Sequence, residues 1–316
     1  MSKVPHLVQY QGSKRNLAPE IISYFPDSIH RLIEPFSGTC AVSILAALTG
    51  KAHSFLLNDI NTPLIHLMEM CVQNPIELSK RYEEVWKHQF DEGQNNIDYF
   101  YKIRDDFNQG FQDPARMLFL LARVVKGAVR YNSQGLMNQS CDKRRFGTKP
   151  DLIRKNAVQI SALLNKKSHF SSMDYKEILS LAKPGDFIYM DPPYQGTSHS
   201  ANSSGNVPNH RYIQGVDFNE FVQELEKLNE RGIDFIVSYD GQTGDKKIGR
   251  TLPAFLNLTH IYINAGTSAQ STLNGKKETT YESLYLSKNI TFSSCKKLPL
   301  NFVLLKNEKR LDLSGR

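Results

Sequence analysis

Short apolar runs separated by polar turns divide the chain into candidate elements. Residues 30–36, with Leu32, Ile33 and Phe36 on a mixed background, predict a strand. Ser37-Gly38-Thr39 follows as a turn, and the apolar run 41–48 predicts a helix. A second strand over 54–58 ends at Asp59 and leads into a helix over 63–72. Strand, helix, strand, helix with short turns is the opening of a parallel α/β sheet. The rhythm then changes. Residues 74–166 show helical spacing over 76–89, 97–108 and 114–126, a loop-rich segment over 128–150 and a helix to 164, with no strand of the sheet among them. The alternation resumes with a strand near 169–171, a helix around 175–182 and a buried-type strand over 186–190 that runs into Asp191-Pro192-Pro193-Tyr194. A polar loop over 195–215, a helix over 219–230 and a strand over 234–238 come next. Strands near 258–264 and 281–286, with no helix between them, predict an antiparallel edge on a mainly parallel sheet.

The expected fold class is therefore α/β, a Rossmann-like, mainly parallel sheet with an antiparallel edge. Residues 1–72 and 167–290 are expected to form one discontinuous α/β domain. Residues 73–166 are expected to form a helical insertion with a basic, loop-rich segment over 128–150, and 291–316 a basic tail. With 40% hydrophobic residues the 316-residue chain is too apolar for a disordered protein, and 19 glycines and 14 prolines are too few for a fibrous repeat. The apolar runs 40–48 and 117–125 fall short of the roughly 18–20 residues needed to cross a bilayer, and Arg123 interrupts the second. No membrane association is expected. The start lacks the basic-then-apolar plan of a secretory signal. Four cysteines stand far apart without a Cys-x-x-Cys, so neither a zinc site nor a disulfide framework is expected, and a reducing cytoplasm is.

Charge adds a partner. Between residues 123 and 155, nine lysines and arginines stand against Asp142 and Asp151, a surplus equal to the +7 of the whole chain. A basic patch on an otherwise balanced protein points to a polyanion, nucleic acid first, although a solvated loop of ordinary lysines has the same composition.

Three strand ends carry candidate chemistry, because ligands of open α/β sheets bind at the carboxyl ends of strands. Glu34-Pro35-Phe36-Ser37-Gly38 has one glycine for a tight turn before a helix, but lacks the two further glycines of a dinucleotide loop. Asp59, 21 residues after Gly38, has the spacing to accept both hydroxyls of a ribose, and is equally a favoured helix cap. Asp191-Pro192-Pro193-Tyr194 is the most specific. Two prolines have no N–H and a fixed φ, so they hold the chain extended just beyond a strand. The Asp191 carboxylate and the Pro192 carbonyl then supply two acceptors and no donor, and Tyr194 an aromatic face. That set suits an amine on a flat ring, gripped through both hydrogens. Gln11-Gly12-Ser13-Lys14 is not a phosphate-binding loop, because the earlier glycine is absent.

With these motifs in this order, the sequence resembles the Dam-type (Asp-Pro-Pro-Tyr) DNA adenine-N6 methyltransferases up to about residue 286. Tyr10-Gln11-Gly12-Ser13-Lys14 is similar to the family's amino-terminal motif, 32–38 to its Gly loop and Asn58-Asp59-Ile60-Asn61 to its second-strand motif. Arg130-Tyr131-Asn132-Ser133-Gln134-Gly135 with Arg145-Phe146-Gly147 is similar to its DNA-contacting hairpin, and Tyr281-Glu282 to its final strand. The resemblance implies a class I methyltransferase fold, S-adenosylmethionine as methyl donor, no metal, and double-stranded DNA as substrate. The implied cofactor set is Tyr10, Lys14, Glu34, Pro35, Phe36, Gly38, Asp59 and Asp191. The implied catalytic set is Asp191, Pro192 and Tyr194, acting on an adenine flipped out of the duplex. Arg130, Asn132, Gln134, Asn138, Arg144 and Arg145 are the candidate DNA contacts, since Arg, Asn and Gln suit the edges of guanine and adenine. Cys40 stands where the family's second glycine is usual, and a right-handed backbone is expected there. A restriction endonuclease is a possible functional partner, and a monomer suffices. Three rivals are an RNA base methyltransferase, a nicotinamide oxidoreductase, which leaves 191–194 unexplained, and a non-catalytic DNA-binding protein, which accounts for the basic patch alone.

Overall fold

The computed structural model describes residues 4–132, 134–193, 216–243, 246–267 and 279–290. A sheet with strand order β3-β2-β1-β4-β5-β8-β7 runs through the molecule. Its parallel part comprises β1 (Ile29–Glu34), β2 (Ala52–Asn58), β3 (Ser168–Ser171), β4 (Asp186–Met190) and the first half of β5 (Asp234–Thr243). β7 (Thr259–Thr267) and β8 (Thr279–Leu286) pair antiparallel with each other, and β8 pairs antiparallel with β5. The expected antiparallel edge is thus present. A short strand β6 (Lys246–Ile248), which the sequence pattern did not suggest, pairs with the far end of β5. β5 itself runs five residues beyond its predicted end at Ser238, through an irregularity between Ser238 and Gly241. β8 pairs with Ser238 and again from Gly241 to Thr243, so the strand continues past Tyr239 and Asp240, which lie in the irregularity.

Helices fill both faces. α1 (Ala18–Ile21) and α2 (Ala41–Leu48) are followed by α3 (Thr62–Gln73), α4 (Pro75–Lys87), α5 (Asn96–Asn108), α6 (Pro114–Arg123) and α7 (Pro150–Leu164). α8 (Tyr175–Ser180) and α9 (Phe218–Glu230) complete the set. Side chains alternate across the sheet, as the period of two demands. Leu32, Phe187, Tyr189 and Ile236 join one buried cluster that continues without a break into Leu118, Leu121 and Ile153 of the helical segment. Ile33, Ile188, Met190 and Phe235 face the other way, against α8 and α9. Each fully buried apolar side chain contributes about 1.5–3 kcal/mol.

α6 ends at Arg123, three residues before the predicted boundary, because Val124 turns extended and bridges to Cys141. Arg123 is fully buried. Its guanidinium donates to the carbonyls of Asp142, Arg145 and Asn96 and lies over the Phe146 ring at 5.7 Å. One of the nine basic residues of the surplus is therefore an internal pin for the 142–146 loop and adds nothing to the surface patch. No described helix is long and apolar enough to cross a membrane.

Candidate active site

Strand order reverses between β1 and β4, and a cleft opens where their carboxyl ends diverge, as expected for open α/β sheets. The cleft has a volume of about 340 Å³. Its walls come from Tyr10–Lys14, the loop after β1, the loop after β2, and Asp191–Pro193, with Tyr131, Met173 and Glu282 closing the sides. Residues predicted from four separate motifs thus share one cavity.

Asn58, fully buried at the end of β2, shapes the floor. Its Nδ2 donates to the carbonyls of Pro35 and Met173, each at 3.0 Å, and its Oδ1 accepts from Met173 N at 2.8 Å. One amide thereby binds together the loops that follow β1, β2 and β3. Phe36 packs its ring against Tyr175 and Phe221, fixing the loop from the apolar side.

The Gly loop turns through two left-handed residues, Gly38 at φ 49° and Cys40 at φ 56°, ψ 32°. The right-handed backbone expected at Cys40 is therefore wrong. Cys40 N donates to Ser37 O at 2.7 Å, and α2 begins at the next residue, so this tight reversal requires the left-handed form. Such a conformation costs a non-glycine residue about 1–2 kcal/mol. Complete burial of the thiol side chain in the core offsets it.

Glu34 lies beneath the loop. Its Oε1 accepts from Ser43 N at 2.7 Å and from Ser43 Oγ, which ties the end of β1 to the first turn of α2. Burial nevertheless pushes its carboxyl up to about 8. Glu34 borders the cleft, but one of its oxygens already serves the helix.

Asp59 resolves the two readings of its position differently from either alone. The cap of α3 is Asn61, whose side chain accepts from Leu64 N. Asp59 accepts from Gly38 N through Oδ2 and from Asn61 N through Oδ1, both at 2.9 Å. It therefore fastens the Gly loop to the start of α3. Each oxygen retains a second lone pair, and burial raises the carboxyl's pKa against the pull of those two N–H groups.

Asp191 extends from β4 into the cleft. Lys14, buried, approaches its Oδ1 at 2.7 Å and Glu282 Oε2 at 3.4 Å. Burial raises the Asp191 carboxyl to about 6, Lys14 opposes that, and Glu282 adds to it. Pro192 and Pro193 border the cleft beside it. Tyr194 lies outside the described residues.

The DNA-contact candidates lie on a hairpin pinned by bridges between Val124 and Cys141 and between Tyr131 and Met137. Asn108 of α5 clamps the second arm, exchanging two 2.9 Å bonds with the Met137 backbone. Arg130, Gln134, Asn138, Arg144 and Arg145 are exposed. Arg145 stands 3.7 Å from Asp142. Asn132 is half-buried, and its side-chain oxygen accepts from Gln134 N and Leu136 N, holding the tip. Only its amide NH2 is left to face a ligand.

Four contributors were missed as site residues: Asn58, Asn61, Tyr131 and Glu282. Glu282 had a usable signal, an acid inside a strand that also carries Leu284 and Leu286. Tyr131 lay within the hairpin motif, but its place on the cleft was not readable, since its contact with Asn61 spans 70 positions.

A family model described as D12 class N6 adenine-specific DNA methyltransferase matches residues 10–268 of the chain. The retron Ec67 DNA adenine methylase of Escherichia coli is 27% identical over 280 residues, covering 87% of this chain and 88% of its own. A type II methyltransferase of Lactococcus lactis subsp. cremoris is 26% identical over 278 residues, covering 85% and 91%. The DNA adenine methylase of Haemophilus influenzae is 28% identical over 206 residues, covering 64% and 68%.

Proposed function

Since the chain belongs to the D12 class N6 adenine-specific DNA methyltransferases, we propose that it moves a methyl group from S-adenosylmethionine to the N6 amine of an adenine turned out of duplex DNA. The observation that carries the site assignment is Asp191, set at the end of β4 ahead of two prolines and opening into the cleft shared with Tyr10, Gly38 and Asp59.

The residues present fit the methyl donor. Asp59 keeps a free lone pair on each oxygen for ribose hydroxyls. Gly38 has only the Tyr10 ring 4.0 Å from where a Cβ would stand, so ligand and backbone can approach closely. Ile60, Phe36 and Met173 add apolar wall for a base. Asp59, Asp191 and Glu282 outnumber Lys14 around the cavity, a field suited to a sulfonium, while Glu34, its carboxyl raised to about 8, adds little charge at neutral pH. The donor supplies a methyl already activated by that sulfonium.

Adenine's amine is a poor nucleophile because its lone pair is delocalised into the ring. Asp191 and the Pro192 carbonyl accept its two N–H bonds and draw the nitrogen toward tetrahedral geometry. Lys14 holds Asp191 in place, and Tyr194 stacks on the everted base. Turning the base out costs a few kcal/mol, and alignment in the closed cleft returns several. Residues 73–166 carry target recognition, through the six candidate residues of the hairpin. Relatives named as type II methyltransferases and as DNA adenine methylases support two settings for this activity: the modification half of a restriction pair, or a stand-alone mark. In a prokaryote either operates in the cytoplasm, where the DNA lies.

The test is transfer of labelled methyl to duplex DNA and to RNA, run side by side with wild type and Asp191→Ala. Transfer to DNA at N6 of adenine, lost by at least tenfold in the variant, is the expected result. Transfer to RNA alone, or an undiminished variant, overturns the reading.

A further inference from the structure

The recognition hairpin and the cleft are joined at two points. At the root, Gln11 N donates to Gly127 O at 3.0 Å. Gly127 sits at φ 63°, and a Cβ there would overlap the Gln9 carbonyl, so the two backbones are in direct contact. On the first arm, Tyr131 is buried and borders the cleft, and its hydroxyl accepts from Asn61 Nδ2 at 2.8 Å. From Asn61 the path continues to Asp59 and then to Gly38, through two 2.9 Å bonds. Tyr131 therefore starts an unbroken chain of hydrogen bonds that ends on the Gly loop.

Its neighbours on either side, Arg130 and Asn132, are candidate DNA contacts, and Arg130 is exposed. The tip and second arm of the hairpin have other supports: Asn132 holds the tip and Asn108 clamps Met137. The Tyr131 hydroxyl serves the contact with α3. We propose that Tyr131 is a positioning residue that couples engagement of DNA by the hairpin to the affinity of the cleft for the methyl donor. A shift of the arm on DNA moves Asn61, and Asn61 N is one of the two donors that orient Asp59. Coupling of this kind is reciprocal: DNA tightens donor binding by the same factor by which donor tightens DNA binding. The inference rests on the proposed roles of the cleft and the hairpin.

The test uses S-adenosylhomocysteine, the unreactive product, and duplex DNA carrying the methylated site. Its dissociation constant is measured by calorimetry with and without saturating DNA, for wild type and Tyr131→Phe. Wild type is expected to bind several-fold tighter with DNA. The phenylalanine variant is expected to lose most of that coupling, roughly threefold, the worth of one buried hydrogen bond. The coupling is read as the ratio of dissociation constants with and without DNA, so a change in DNA-free affinity cancels. An unchanged coupling factor in the variant, even with a lowered melting temperature, overturns the proposal, as does wild type without coupling. Asn61→Asp, which still caps α3 and lets Tyr131 donate, is expected to retain the coupling, and its loss there counts against the proposal. Failure of the functional reading shows separately, as wild type that transfers no methyl to DNA.

Discussion

Replacing Asp191 by asparagine removes a charge while keeping the side chain's shape, and the structure gives the change a sign as well as a size. The carboxyl is raised from its ordinary 3.8 to about 6, burial being the largest cause and Lys14 the opposing one. At about 1.4 kcal/mol per pKa unit, ionised Asp191 makes the native state about 3 kcal/mol less stable than a neutral group would. Because the folded protein holds this proton more tightly than the unfolded chain does, wild-type stability falls as pH rises from about 4 through about 6, and levels off above. The asparagine variant lacks this loss. It is expected to be more stable by about 3 kcal/mol at pH 8, with the gap closing to about half that at pH 5. Glu34, raised to about 8, titrates in both proteins, so its contribution largely cancels in the difference. Urea denaturation of both proteins at pH 5, 6.5 and 8 measures the gap, and methyl transfer measured in parallel is expected to be lost. A variant less stable than wild type at pH 8 would mean that the 2.7 Å contact with Lys14 outweighs burial, and would refute the reasoning.

The same carboxylate sets the pH dependence of catalysis. The rate at low substrate is expected to fall about tenfold per unit below pH 6, as protonated Asp191 ceases to accept from the amine, and a flat profile between pH 5 and 8 would count against that role. Gly127→Ala forces a Cβ into the Gln9 carbonyl, and is expected to lower the melting temperature and weaken S-adenosylmethionine binding together in a fluorescence titration. Arg123→Met removes the guanidinium donor from the carbonyls of Asp142 and Arg145 and its tie to Asn96, an expected loss of about 3 kcal/mol in chemical denaturation with weaker DNA binding. Cys40→Gly exchanges a strained left-handed residue for a relaxed one at the cost of buried sulfur, so its stability is expected within about 1 kcal/mol of wild type.

Much of the scaffold was legible in the sequence because its causes are local. The apolar run from Phe187 to Met190 reads as a strand buried on both faces, and its end coincides with the two prolines that cannot continue a ladder. The strand-to-helix turn after β1 announces itself through Gly38, whereas after β2 the sequence offered Asp59 as the helix cap and the structure gives that place to Asn61. Family resemblance then placed Tyr10, Lys14, Asp59 and Asp191 around one ligand, and the fold brings all four to one cleft. Tertiary structure alone decided what each of them touches. Asp59 is tied to Gly38 and Asn61 with one lone pair per oxygen to spare, Lys14 is shared between Asp191 and Glu282, and Arg123, which broke an apolar run and looked like surface charge, is sealed inside. The left-handed turn at Cys40 belongs to the same group, since it follows from where α2 must start relative to Ser37. Periodicity depends on neighbours a few residues away, whereas hydrogen-bond partners and desolvation depend on which distant segments the sheet brings within a few ångströms.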